Sequence, residues 1–195
     1  MREAPLTQAR RAGESEEALL AAHLRGDDRA FTLLYERHNE RLYLYCARML
    51  GDAARAEDVT QELWERIVRL RARPVRIDRP LGFLLTIARN LCLNTIKRDA
   101  ITRRHAVESA GREGTETRSE MEEMVIDALA AVPMKLREVL ILQVYSGYDF
   151  EEIGAMLGIS TAAAWKRASR GREQLRVIVE KRLAADRRER PASKK

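Results

Sequence analysis

Two sets of side chains in this chain have the residue types that recognition chemistry needs, with an ordinary solvated surface as the other reading of the first. Thr86, Arg89, Asn90, Asn94, Lys97 and Arg98 gather on one side of a helical pattern. Side-chain amides offer paired donors and acceptors that match base edges, and Arg and Lys pair with phosphates. Thr161, Lys166, Arg167, Ser169, Arg170 and Arg172 form a second, more basic set. A third group is acidic and amide-bearing: Asp58, Gln61, Glu62 and Glu65 recur at i, i+3, i+4 and i+7. On periodicity alone such a stripe is more often an ordinary solvated face than a docking face for a basic or polar partner helix. Covalent chemistry has no comparable residues. There is no phosphate loop, metal-ligand cluster or nucleophile constellation, so neither an enzyme nor a cofactor is expected. His23, His38 and His105 are scattered without ligand spacing, which argues against zinc.

The bulk numbers fit this emphasis. The 195 residues suit one medium or two small domains and carry a formal net charge of +6. That balance favours a polyanionic partner, either nucleic acid or an anionic membrane surface. Only 5% of residues are aromatic, with 10 Gly and 5 Pro, so a turn-rich β fold is not expected. Cys46 and Cys92 stand in apolar helical runs with no CxxC neighbour, as buried free thiols of a reducing cytosol do. The first residues, MREAPLTQARRAGESEE, have no apolar signal core, and no run is long and apolar enough to cross a bilayer. A cytoplasmic location is the expectation.

Helices must position the three sets. An all-α fold is expected, with two helical domains at 15–104 and 121–183 joined by a flexible linker at 105–120, HAVESAGREGTETRSE. Residues 1–14 and 184–195 read as tails. The first domain opens with ESEEALLAAHLRG, stopped by Gly26. Asp27 is placed to cap the next helix, which carries Phe31, Leu34, His38, Leu42, Tyr45 and Met49 on one face and stops at Gly51. Val59, Leu63, Ile67 and Leu70 form the apolar stripe of a third helix. After PVRIDRP, a fourth helix shows Leu81, Leu84, Ala88, Leu91 and Cys92 as core. Phe83 suits stacking on an unpaired base, although a core position is the commoner role.

The second domain ends in a more specific pattern. EEMVIDALAAVP and MKLREVLILQVYSG read as two helices. In DFEEIGAMLGIS, Asp149 caps a short helix and Glu152 completes a capping box. Ile153 and Leu157 form its buried side, Gly158 ends it in the left-handed conformation, Ile159 plugs the corner and Ser160 caps the next helix. This is the order of a helix-turn-helix. Ala164 and Ala168 are small enough to pack tightly on the support, and the rest of the second helix is polar or basic. Such a helix fits a DNA major groove, with affinity that falls as salt rises.

The ordered phrases GDDRAFTLLYERHNERLYLYCARMLGD, AEDVTQELW, LLTIARNLCLNTIKR, VPMKLREVLILQVYSGYDFEEIGAMLGIS and KRASRGREQLR resemble the extracytoplasmic-function (ECF) sigma factors of bacteria. The resemblance covers about 26–104 and 124–180. It implies a detachable, promoter-reading subunit of RNA polymerase. One domain grips the clamp of the beta-prime subunit and opens the minus-ten element; the other reads the minus-thirty-five element as duplex. Carried onto matching positions, it implies that Asp58, Gln61 and Glu62 contact the clamp. It implies that Asn90, Asn94, Lys97 and Arg98 meet the non-template strand, with Phe83 nearby. The loop at 74–80, with Arg76, lies where the family captures a flipped base, whose extrusion must be repaid by a pocket. Ser160, Thr161, Trp165, Lys166, Arg167 and Arg170 fall on the promoter-reading helix. The linker would thread near the RNA exit path, and an anti-sigma factor commonly masks both surfaces.

Several positions depart from the family pattern. Phe83 replaces the usual Trp, and Asn94 a common acidic residue. Ala164 and Ala168 replace a branched aliphatic and Leu, Trp165 a small or basic residue, and Gly171 a common Ala that would favour the helix by about 1 kcal/mol. Trp165 is expected either to restore lost packing or to face DNA. The rival to a sigma factor is a stand-alone helix-turn-helix regulator, which would bind a palindrome as a dimer and leave the 58–65 stripe without a role. A third class, a mimic that sequesters an anti-sigma factor, has no need of two basic faces.

Overall fold

The computed structural model of the chain describes residues 15–71, 77–105 and 120–189. Eight α-helices and no strands occur among them, in keeping with the all-α expectation. Among the described residues, one compact unit comprises 15–46 and 56–105, the other 47–55 and 120–189.

The first unit is built on α1 (Glu16–Leu24), α2 (Asp28–Leu50) as far as Cys46, α3 (Ala53–Arg69) from Ala56 onward, and α4 (Pro80–His105). Ser15 caps α1 by accepting the Ala18 N–H at 3.2 Å. Asp27 does the same for α2, its Oδ1 accepting from Arg29 N at 2.9 Å and Ala30 N at 3.1 Å. Asp52 caps α3 through Arg55 N at 3.0 Å. Each cap satisfies donors that the first helical turn leaves without partners. Pro80 opens α4, where its missing N–H costs nothing.

The apolar faces close as their spacing predicts. Leu34, His38, Leu42, Tyr45 and Met49 on α2 are buried. So are Val59, Leu63 and Ile67 on α3, and Leu84, Leu85, Ala88, Leu91 and Cys92 on α4. Leu70 and Leu81, expected in the core, are only half-buried, because they sit at helix ends where one side opens to solvent. Two histidines serve the packing. The His23 Nε2–H donates to the Ile67 carbonyl at 3.0 Å, tying α1 to the end of α3. His38 lies with Nε2 3.3 Å from the Glu16 carboxylate. Burial is the larger influence on its pKa and, helped by Arg41 and Arg37, holds it below the ordinary value against the pull of Glu16. Cys46 and Cys92 are free and buried. A hydrogen bond from Cys92, aided by Thr60, holds the Cys46 thiol below its usual value despite burial.

The second unit packs α5 (Glu120–Ala131), α6 (Met134–Val144) and α7 (Phe150–Leu157) around α8 (Thr161–Glu189). Its core includes Leu129, Val139, Ile141, Ile153, Ala164 and Ala168. Arg137 donates to the Ala130 and Val132 carbonyls at 2.5 and 3.0 Å, which caps the C-terminal end of α5. Burial lowers its pKa.

Helix boundaries differ from the sequence reading at three places. The fourth helix runs through His105, and α5 starts at Glu120, both inside the segment expected as linker; 106–119 lie outside the described residues. The last helix continues through 184–189, where a tail is expected. Its distal half is held by Arg182, which donates to the Asp127 carbonyl at 3.2 Å and pairs with the Asp127 carboxylate at 3.4 Å. Residues 1–14 and 190–195, also read as tails, lie outside the described residues.

Candidate nucleic-acid interface

The helix-turn-helix forms as its residues dictate. Asp149 accepts from Glu151 N and Glu152 N at 2.9 and 2.8 Å, and the Glu152 carboxylate accepts from Asp149 N at 3.2 Å, closing the capping box. Gly158 stops α7 at φ +64°, ψ +39°, a conformation a β-carbon disfavours. The Gly158 and Ile159 N–H groups both reach back to the Gly154 carbonyl. Ser160 Oγ then accepts from Ala163 N at 3.2 Å to cap α8.

Gly154 is a determinant that the sequence reading missed. A β-carbon there would stand 2.8 Å from the Ile159 carbonyl oxygen, inside van der Waals contact with backbone. The two helices approach so closely at the corner that only hydrogen fits. The small side of α8 continues the same logic. Ala164 and Ala168 are fully buried. A β-carbon on Gly171 would lie 3.0 Å from Leu140 Cδ1, so this glycine admits the α6 side chain as well as weakening the helix. The residues expected to meet DNA occupy the rest of the helix. Thr161, Trp165, Lys166 and Arg170 are exposed, and Arg167 is half-buried. Trp165 is 54% exposed, which excludes the expectation that it restores packing lost at Ala164 and Ala168.

In the first unit, α4 brings Phe83, Asn90, Asn94 and Lys97 onto one stripe, seven, four and three residues apart, with Arg98 beside it. Asn90, Asn94, Lys97 and Arg98 are exposed and Phe83 is half-buried. Arg98 Nη2 donates to Thr95 Oγ1 at 3.2 Å. Thr86 spends its hydroxyl on the Gly82 carbonyl at 2.8 Å, which removes that donor from outside contacts. Arg76 lies outside the described residues.

On α3, Asp58 and Gln61 are exposed and Glu62 is half-buried. Their face is laced internally: Glu62 pairs with Arg66 and Glu65 with Arg69, each at 2.7 Å, and Gln61 Nε2 donates to Glu65 at 3.3 Å. Such exposed i, i+4 pairs are worth about 0–1 kcal/mol each, so a partner can rearrange them cheaply.

Beside this face runs an aromatic-walled groove of about 650 Å³ between α2 and α3, which the sequence reading did not find. Tyr35, Tyr43 and Asn39 line one side, and Gln61, Trp64 and Val68 the other. The Trp64 Nε1–H donates to Asn39 Oδ1 at 2.9 Å, with Phe31 edge-on at 5.8 Å and Tyr35 tilted at 5.1 Å. Tyr35 keeps 42% of its surface exposed at the rim. The i, i+4 pair Phe31 and Tyr35 was the available sequence signal, but their meeting with Trp64 depends on how α2 crosses α3.

Comparison with known proteins decides between a regulator and a polymerase subunit. Sigma-70 region 2 matches residues 34–101, and Sigma-70, region 4, matches residues 122–175. RNA polymerase sigma factor CarQ of Myxococcus xanthus is 34% identical over 163 residues, spanning 79% of this chain and 91% of CarQ. ECF RNA polymerase sigma factor SigL of Mycobacterium tuberculosis is 30% identical over 161 residues, spanning 75% of this chain and 87% of SigL. This chain is an ECF sigma factor. As one, it directs transcription initiation by RNA polymerase core at promoter DNA, and the stand-alone regulator is not favoured. Among solved structures, the sigma factor RpoE in complex with the anti-sigma factor NepR from Bartonella quintana shares the fold, with a TM-score of 0.65 at 19% identity over 77% of this chain and 96% of that one. CnrH in complex with the cytosolic domain of CnrY has a TM-score of 0.64 at 24% identity, over 86% and 98% respectively. The region 2 match places α3 and α4 of this sigma factor in one functional block, and the region 4 match takes in the helix-turn-helix.

Proposed function

We propose a division of labour within this sigma factor. Asp58, Gln61 and Glu62 on α3, with the neighbouring aromatic groove, dock the polymerase clamp. The α4 stripe of Phe83, Asn90, Asn94, Lys97 and Arg98 holds the separated minus-ten strand. The exposed side of α8, with Thr161, Lys166, Arg167 and Arg170 and capped by Ser160, reads the minus-thirty-five duplex. Arg76 belongs to the loop proposed to receive an extruded base.

The observation that carries this reading is the presence, in one chain, of an exposed acidic and amide face on α3 and an exposed cationic face on α8. The first is poorly suited to phosphate and well suited to a protein partner. The second gains affinity by releasing counterions from DNA. The protein acts without covalent chemistry of its own. Among the described residues no group of His, Cys, Asp and Glu is arranged to hold a metal ion. No described helix is long and apolar enough to cross a membrane, and action on promoters fits the cytoplasm.

Regulation by an anti-sigma factor completes the reading. Two solved structures of like fold hold such a chain against a protein partner: the sigma factor RpoE with the anti-sigma factor NepR, and CnrH with the cytosolic domain of CnrY. An aromatic groove adjoining the clamp-docking face offers such a partner a site whose occupation competes with core polymerase.

The test is reconstitution. Purified protein and core polymerase on promoter fragments from the native genome give specific transcripts only when both are present. Absence of a specific transcript when both are present, with tight binding of a palindromic duplex by the chain alone, overturns the proposal.

A further inference from the structure

Trp165 stands where a structural role leaves no use for it. The buried side of α8 is made by Ala164, Ala168 and Gly171. Trp165 projects away from that side and is 54% exposed, among the most exposed large apolar side chains described. One turn away on its own face are Thr161, Ala162 and Ser169, all short, so no neighbour on the helix covers the indole. Lys166 and Arg170 are exposed on the adjoining side of the helix, and Arg172 lies two turns beyond Trp165, its Nη1 donating to Gln143 Oε1 at 3.0 Å. A wide apolar side chain is thus set within a cationic surface near the start of a reading helix.

We infer that Trp165 is a specificity-determining residue that selects thymine in the upstream promoter element by apolar contact with its C5-methyl group. This rests on the proposed reading of α8 as the minus-thirty-five helix and names what that helix recognises. The thymine methyl is the apolar group on the major-groove edge of a base pair. An indole laid against a cytosine amino group or a guanine carbonyl would strip water from a polar atom, and its single Nε1–H donor cannot answer a base-edge pattern bidentately. Against a methyl the same surface gains burial and loses no hydrogen bond. The cations set the register by pairing with phosphate, and the indole discriminates.

The experiment uses full-length protein in holoenzyme with core polymerase, on a promoter identified by transcription and mapped by footprinting. Each thymine of the protected upstream element is replaced in turn by deoxyuridine, which removes only the methyl. At one or two positions the replacement weakens promoter binding by the wild type about fourfold, the worth of one buried methyl-sized group. Trp165→Ala loses a similar factor on the unmodified promoter and no longer responds to deoxyuridine there. Trp165→Phe keeps the response. Far-UV circular dichroism of both variants matches the wild type, since the exposed side chain supports no packing. An element without thymine, a wild type that responds at no position, or a Trp165→Ala variant that responds as the wild type does overturns the inference. Trp165→Ala that binds promoter normally but fails to bind a protein partner overturns it in favour of a protein contact. Failure of the underlying reading looks different: the holoenzyme then gives no upstream footprint at all.

Discussion

The two helices proposed to touch DNA are held in place by opposite means. The first unit positions α4 by bulk, burying Leu84, Leu85, Leu91 and Cys92 along one side. The second positions the start of α8 by the near absence of side chain, with Gly154 at the corner, Gly158 in the turn, and Ala164, Ala168 and Gly171 along the seam. A bulky seam places its helix through many dispersion contacts, and its loss is felt mainly as stability. A thin seam places its helix through backbone proximity, and a single added methyl changes its direction. The face proposed to hold the separated strand therefore sits on a cushioned support, and the face proposed to read duplex on a stiff one.

The largest expected effect tests the cushioned side. Leu84→Ala opens a cavity in a fully packed site and costs the first unit about 2–5 kcal/mol. Denaturant melts of the variant read that loss, while its binding to the isolated upstream duplex is unaffected at temperatures where the second unit stays folded. Equal damage to both activities breaks the comparison. Next comes the stiff side. Alanine is the better helix former by about 1 kcal/mol, yet Gly154→Ala must push backbone apart at the corner. We expect a net destabilisation of about 1–3 kcal/mol and loss of upstream footprinting in holoenzyme that still binds core polymerase. A stabilised, fully active Gly154→Ala shows that the corner is softer than its spacing implies.

A smaller effect separates the protein-facing and DNA-facing surfaces. Asp58→Ala with Gln61→Ala weakens core binding about tenfold, roughly 1.4 kcal/mol, and leaves upstream DNA recognition intact once holoenzyme is formed. Lys166→Ala with Arg170→Ala does the reverse and flattens the salt dependence of promoter binding. These exposed pairs suit the purpose better than Arg167, which is half-buried and so mixes packing with recognition. Two pairs with one phenotype erase the proposed division.

The smallest effect concerns pH. His38 is held below the ordinary histidine value of about 6.5. Around and below that pH the unfolded chain binds the proton more readily than the folded one, so the stability contributed by neutral His38 is present above it and is lost as pH falls. Thermal melts between neutral and mildly acidic pH show the first unit weakening, and His38→Gln shows a shallower decline. The same slope in both proteins removes His38 as the cause.

The parts legible in the residues were those whose physics is local. A capping box, a left-handed glycine and a second cap lie within twelve positions, 149–160, and each works through backbone groups a few residues away. The apolar stripes of α2, α3 and α4 were legible for the same reason, because helical period alone decides which residues share a face. The Trp64 groove was not legible. Trp64 is remote in sequence from Tyr35 and Asn39 and meets them only through the crossing of two helices. Gly171 looked like a defect for want of any view of Leu140, and the helical continuation past 183 depends on the grip of Arg182 on Asp127.

By itself, the order of residues determined an all-helical chain, its caps and stops, its buried stripes and the motif that marks its family, since all of these depend on spacing along the backbone. Tertiary structure alone decided that Trp165 faces outward, that Gly154 admits no methyl and that an aromatic groove adjoins the acidic face. Those outcomes depend on the distance between helices, which is set by the volumes of side chains remote in sequence.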